Sequence, residues 1–153
     1  TQTIDDLFEN PDRLISLLKS AFDEQMLRFL KQLPVDPSHP TLSRNNHQFN
    51  CTGAWSVKLR RSGFHRNHFH THGWYSGPYY VELPGVMDNE SEKQGWIKLG
   101  EPGIDTIAPM AADLVIKPET GVMIRFPSFM WHGTIPFDSD QSRLVVTLDL
   151  DPN

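Results

Sequence analysis

Four of the chain's seven histidines fall within one eight-residue stretch, His65-Arg66-Asn67-His68-Phe69-His70-Thr71-His72, and a fifth stands far downstream in Trp131-His132-Gly133-Thr134. Neutral imidazole is a good ligand for first-row transition metals. On an extended strand side chains alternate faces, so His68, His70 and His72 would share one side while Phe69 and Thr71 take the other. Two ligands at i and i+2 can converge on one ion if a third arrives from elsewhere in the fold, and His132 is the natural third. For a lone histidine the ordinary reading is a hydrogen-bonded polar residue. An H-x-H segment with a distant Trp-His-Gly points instead to a metal held by His68, His70 and His132. His65 is out of parity with this trio and is expected to orient a ligand or lie in a loop. His72 has the right parity but precedes Gly73, where the strand should break, so it ranks as a reserve ligand. Arg143 follows His132 by eleven residues and opens an apolar strand. A buried guanidinium needs an anion, and its planar fork suits a carboxylate. An ion pair with Asp138, Asp140 or Asp149 is the plainer reading of Arg143.

These residues have to be brought together by the elements around them. Asn10-Pro11-Asp12 has the order of an N-cap, a proline at the first helical position and an acidic first turn. A helix is then expected along Leu14, Leu18, Phe22, Met26, Leu30 and Leu33, which recur at spacings of three and four, with Leu27 and Phe29 widening the stripe. Pro34, Pro37 and Pro40 end it. Residues 1–45 thus read as a helix and a proline-rich linker, and residues 46–153 as a β core. Within that core Trp55, Val57 and Leu59 alternate with Ser56, Lys58 and Arg60, the pattern of a half-buried strand. Further strands are expected over 74–83, 96–99, 114–117, 121–126, 130–135 and 143–150. In the last of these the even positions Leu144, Val146, Leu148 and Leu150 read as core, with Arg143 and Thr147 facing elsewhere. Short strands separated by Gly and Pro turns predict a mainly β fold, a sandwich or jelly-roll barrel of cupin-like, double-stranded β-helix form, with the helix packed on a sheet.

Composition narrows the function classes. A chain of 153 residues, 38% hydrophobic and 22% charged, is expected to form a single domain. A net charge of −5 argues against nucleic acid as a partner, and the local cluster Lys58, Arg60, Arg61 and Arg66 reads as a solvated strand edge. One cysteine, Cys51, leaves no intrachain disulfide framework. No apolar run is long enough to cross a bilayer, and a cytoplasmic location is the default expectation. The chain starts at Thr1 without Met, which suits a processed protein or a piece of a longer one. Its oligomeric state is left open.

One resemblance is specific. The run Asn67-His68-Phe69-His70 through Trp74-Tyr75-Ser76-Gly77-Pro78-Tyr79-Tyr80-Val81, then Phe126-Pro127-Ser128-Phe129-Met130-Trp131-His132-Gly133-Thr134, then Arg143, resembles the 2-oxoglutarate- and iron(II)-dependent oxygenases. Within them it is most similar to a small branch with an H-x-H…S-G-x-Y-Y and F-P-S…W-H-G pattern. The resemblance spans roughly Trp55 to Leu150. It implies Fe(II) on His68, His70 and His132, and Arg143 as anchor for the distal carboxylate of 2-oxoglutarate, with Tyr80 adding a hydroxyl. It also implies O2 as cosubstrate, succinate and CO2 as co-products, and hydroxylation of a small molecule or peptide. Ser128 and Thr134 are candidates to hydrogen-bond the ligands from behind, although Ser128 also reads as a turn residue. Trp74 and Trp131 are candidates for the substrate pocket, with plain core as the alternative.

The pattern departs from the wider superfamily at one position. Most of these enzymes carry Asp or Glu two residues after the first histidine, where this chain has His70. Three imidazoles with an open position also describe a zinc-hydroxide hydrolase. A cupin-like module that binds a metal or small acid without turnover fits the same residues. Arg143 discriminates, because a hydrolase needs no cation beyond its last ligand, whereas a chelating 2-oxo diacid needs one at its far end.

Overall fold

The computed structural model describes residues 1–153. Its single long helix, α1 (Arg13–Gln32), is capped by Asp12, whose side chain accepts from the Leu14 amide at 2.7 Å. Asn10 instead accepts from the Asp12 amide, so the cap lies two residues beyond the one expected and Pro11 precedes the helix. The buried stripe runs through Phe22, Met26 and Leu30, while Leu14 and Leu27 face solvent. At the far end the Asn45 side-chain amide donates to the Leu30 and Leu33 carbonyls, satisfying acceptors that the helix leaves open.

The strands are β1 (Gln2–Ile4), β2 (Phe49–Leu59), β3 (Tyr75–Glu82), β4 (Ile97–Leu99), β5 (Leu114–Ile116), β6 (Phe126–Pro127), β7 (His132–Thr134) and β8 (Arg143–Pro152). They form an antiparallel five-stranded sheet, β1-β2-β8-β3-β6, and a three-stranded one, β5-β4-β7. This is the expected jelly roll with a helix on its larger sheet. β1 has no apolar alternation to announce it, and it pairs with β2 through Gln2, Thr3 and Ile4. Of the strand expected over 121–126 only Phe126 is regular, with Met123 forming an isolated bridge to Tyr79.

Parity assigns the two faces of the large sheet. Phe22 packs with Ala54, Val146 and Leu148, and Met26 and Leu30 pack with Tyr75 and Leu150. The opposite parity, Val57, Leu59, Tyr80 and Val145, forms the barrel interior with Met87 and Phe137. Register places Trp55 and Pro78 beside Thr147, and Ser76 beside Asp149, on that interior face. β8 is therefore covered on both sides. The expectation that only its even positions are core is corrected: Val145 is 1% exposed and Arg143 likewise 1%. A strand that is central in its sheet and sandwiched between helix and barrel has no solvent face to show an alternation.

Candidate metal centre

The histidine segment is not a regular strand. Only His68 pairs, in an antiparallel bridge with His132: the His68 amide donates to the His132 carbonyl at 2.9 Å, and the His132 amide to the His68 carbonyl at 2.8 Å. The His70 amide donates to the Ser128 carbonyl at 2.9 Å. These bonds hold His68 and His70 on the same side without a continuous ladder. Gly133 makes the approach feasible, since a Cβ there would come within 2.2 Å of Asn67 Oδ1. Gly73, at φ +109°, turns the chain into β3. His72, on the near side of that turn, is exposed and outside the cluster.

The potential ligand atoms of His68, His70 and His132 lie within 4.8 Å of one another. The three rings face one another, with centroids 4.2 Å apart for His68 and His132, 5.3 Å for His68 and His70, and 5.1 Å for His70 and His132. Each Nδ1 has an acceptor. His68 Nδ1 lies 2.7 Å from the Arg66 carbonyl, His132 Nδ1 lies 2.9 Å from the Met130 carbonyl, and His70 Nδ1 meets Asp149 at 2.9 Å (Oδ1) and 2.8 Å (Oδ2). Carbonyls and carboxylates only accept, so Nδ1 carries the proton in all three rings. The Nε2 lone pairs are left for a metal, and the outer hydrogen bonds fix both tautomer and orientation.

A cavity joins this trio to Arg143 and is lined also by Trp55, His65, Thr134 and Thr147. Arg143 Nε and Nη1 are buried without a partner, and so is the Tyr80 hydroxyl. The guanidinium carbon stands 5.3 Å from the centre of the Tyr80 ring. None of the carboxylates weighed as ion-pair partners meets Arg143. Asp138 and Asp140 are taken by Arg61, and Asp149 by His70. Burial pulls Arg143 below the usual range for its type and pushes the Tyr80 hydroxyl up, each shift partly opposed by the contact between the two side chains.

The other candidates are distributed differently. Thr134 Oγ1 accepts from the His65 amide at 2.8 Å and lines the cavity. Ser128 is fully buried, with its Oγ 2.8 Å from Ser76 Oγ. Trp74 is core, not pocket: it is 1% exposed, packs in the cluster under α1 and donates its Nε1 proton to the Thr41 carbonyl at 2.8 Å. Trp131 also stands outside the cavity lining and packs edge-on against Phe69, centroids 4.7 Å apart. Asp149 was missed as a partner for the histidines, yet its parity with Arg143 and Thr147 marks it as interior. His65, set aside for its parity, lines the cavity because its segment is a loop and alternation does not apply there.

Burial is the main cause that holds both His65 and His132 down to about 4; for His65 the Arg143 charge comes next, and for His132 the Met130 carbonyl partly opposes the shift. In an unfolded chain both would titrate near 6.5. The unfolded state therefore takes up protons first as pH falls. The metal-free protein should be at full stability above about pH 6.5 and lose stability progressively down to about pH 4. Urea denaturation of metal-free protein at pH 7.5 and pH 5 checks this, and His65→Gln should shrink the difference. A variant with an undiminished difference would remove His65 from the account.

Both halves of the arrangement fit a metal with an anionic partner: three neutral imidazoles with converging lone pairs, and a buried cation lacking an anion in the same cavity. Residues 53–149 match a family model described as "Putative 2OG-Fe(II) oxygenase". Solved structures that share the fold include the following three. A Pseudomonas putida prolyl-4-hydroxylase is 16% identical, at TM-score 0.61, over 99% of this chain and 71% of that one. HygX from Streptomyces hygroscopicus, solved with nickel and 2-oxoglutarate bound, is 10% identical, at TM-score 0.61, over 100% and 70%. A 2OG-Fe(II) oxygenase family oxidoreductase from Burkholderia pseudomallei is 10% identical, at TM-score 0.60, over 90% of this chain and 55% of that chain's length. No curated protein matches this chain in sequence.

Proposed function

The chain belongs to the 2OG-Fe(II) oxygenase family, and on that premise we propose that it hydroxylates a small molecule or peptide, with His68, His70 and His132 holding the iron and Arg143 and Tyr80 anchoring 2-oxoglutarate. As a member it is an iron(II)- and 2-oxoglutarate-dependent dioxygenase, with O2 as the second cosubstrate. The observation that carries the residue assignment is the guanidinium of Arg143, 1% exposed and paired with no carboxylate, in the cavity that the three imidazoles face. A buried unpaired charge costs several kcal/mol, and a dicarboxylate bound across the cavity offsets that cost. A zinc-hydroxide hydrolase would have no use for it.

When bound, iron, 2-oxoglutarate and O2 supply the oxidative chemistry, inserting one oxygen into a C–H bond and releasing succinate and CO2. The chain's own residues place the reactants. The Arg66 and Met130 carbonyls and the Asp149 carboxylate aim the three rings. Arg143 presents paired N–H donors to a carboxylate, and the Tyr80 hydroxyl beside it adds a donor. Trp55, Phe126, Ile97 and Val145 keep the cavity wall apolar, which strengthens the charge interactions inside it. The prolyl hydroxylase among the structural neighbours makes peptidyl proline one substrate to assay, but 16% identity supports the fold alone.

Iron-loaded protein mixed with 2-oxoglutarate without oxygen should develop a weak visible charge-transfer band. Admission of air to protein supplied with its substrate should release succinate. Metabolite and peptide pools compared before and after such an incubation should show one species heavier by one oxygen. Absence of the band, together with no 2-oxoglutarate binding by calorimetry, would sink the proposal. Binding without any consumption in cell extract would instead favour a module that holds the diacid without turnover.

A further inference from the structure

Resting on the metal assignment just made, we infer that Asp149 is a positioning residue that supplies, from behind His70, the negative charge that this ligand set lacks. Three imidazoles leave a divalent ion with its whole charge, where the commoner facial triad includes a carboxylate. The His70 position is where that carboxylate would stand. In this chain a carboxylate stands one hydrogen bond further out: both Asp149 oxygens lie within 2.9 Å of His70 Nδ1, on the far side of the ring from Nε2. Asp149 thus cannot reach the ion itself, and it is absent from the cluster of converging ligand atoms. It polarises the Nδ1–H bond, which raises the electron density that Nε2 gives the metal.

The three ligands are not equivalent in this respect. His68 and His132 donate to neutral carbonyls, so the anionic contribution is directed to His70 alone. A supporting chain holds Asp149 in place. Ser76 Oγ lies 2.6 Å from Asp149 Oδ1 and 2.8 Å from Ser128 Oγ. A hydroxyl has one proton, and the contact with the carboxylate is the shorter, so Ser76 donates to Asp149. The buried Ser128 hydroxyl then donates to Ser76. Register explains why these residues meet: Ser76 pairs directly with Asp149 across β3 and β8, and the Ser128 amide donates to the Trp74 carbonyl just before β3. A carboxylate serving only as a strut would need neither two oxygens on one nitrogen nor two hydroxyls behind it.

Asp149→Asn separates charge from geometry, because the amide oxygen still accepts from His70 Nδ1. Anaerobic calorimetry with Fe(II), and with Co(II) as a spectroscopic stand-in, should show about 10- to 100-fold weaker metal binding, the range for losing an outer hydrogen-bond partner of a ligand. The charge-transfer band of the Fe(II)–2-oxoglutarate complex should move to shorter wavelength, since a metal that receives less charge gives up an electron less readily. Asp149→Glu, if the longer side chain still reaches Nδ1, should restore part of both. An Asp149→Asn protein with wild-type metal affinity and an unmoved band would overturn the inference. His132→Ala, measured alongside, keeps the two levels apart. Lost metal binding in that variant with an unaffected Asp149→Asn protein refutes the role of Asp149 and leaves the ligand assignment standing, whereas undiminished metal binding by His132→Ala refutes both.

Discussion

His132→Ala will abolish 2-oxoglutarate consumption and weaken Fe(II) binding by more than about 100-fold, since even the outer partners of a metal-bound histidine are worth roughly 10- to 100-fold. In the proposed ligand set His132 is the residue that closes the site. His68 and His70 come from one irregular segment and His132 from β7, which that segment bridges, so its loss leaves only two of the three converging donors. The backbone should survive the change, because β7 is held by β4 and by the paired amide–carbonyl bonds between residues 68 and 132, none of which uses the imidazole. Circular dichroism and thermal unfolding of metal-free protein check that. His72→Ala is the matched control: it lies two residues from His70, is exposed and faces no ligand. Metal affinity in that variant should stay at the wild-type level. If calorimetry finds equal losses for His72→Ala and His132→Ala, the ligand set is wrong.

The ligand trio could be read before the fold because its signal is local chemistry: two histidines at i and i+2, and a third before a glycine that lets the chains approach. His68, His70 and His132 do come together, although the strand expected to align the first two does not form. The segment is held by a bridge at His68 and by the Ser128 carbonyl at His70, and these two contacts keep the side chains on one side as a strand would. The helix was legible from its spacing. Its first turn was not, because Asn10 and Asp12 both cap and only the backbone path decides which of them starts the helix.

What stayed hidden follows from β8. An apolar run buried on both faces shows no alternation, so Leu144 was overrated and the interior face carrying Arg143, Val145 and Asp149 was underrated. Asp149 looked like a counter-ion for Arg143, since both lie on one strand. Their equal parity places them on the same face but six residues apart, and Ser76 across β3 and the nearby His70 claim the carboxylate. Such pairings depend on register between distant segments, and no sequence window contains that information.

The same strand therefore carries an anion behind the metal site at one end and an unpaired cation at the other, which makes Arg143 a liability to the empty protein. Arg143→Met should remove that liability. A methionine, shorter but of similar volume, packs against Val145 and Tyr80 without desolvating a charge, and replacing buried ionic groups by packed apolar ones is often neutral or stabilising by about 1–4 kcal/mol. The variant should unfold at higher urea concentration than wild type when both lack ligand. With 2-oxoglutarate and metal present the order should reverse. Loss of one partner of a buried, hydrogen-bonded charge pair costs about 2–5 kcal/mol, roughly 30- to 5,000-fold in cosubstrate affinity, while the metal titration should change little because Arg143 contacts none of the three imidazoles. Arg143→Lys keeps the charge but not the two-pronged geometry, and should fall between the two. The crossing of the two stability curves is the result that a purely structural arginine cannot produce. If Arg143→Met is destabilised in the empty state and 2-oxoglutarate still raises its stability as in wild type, the guanidinium is a core strut and the diacid is anchored elsewhere.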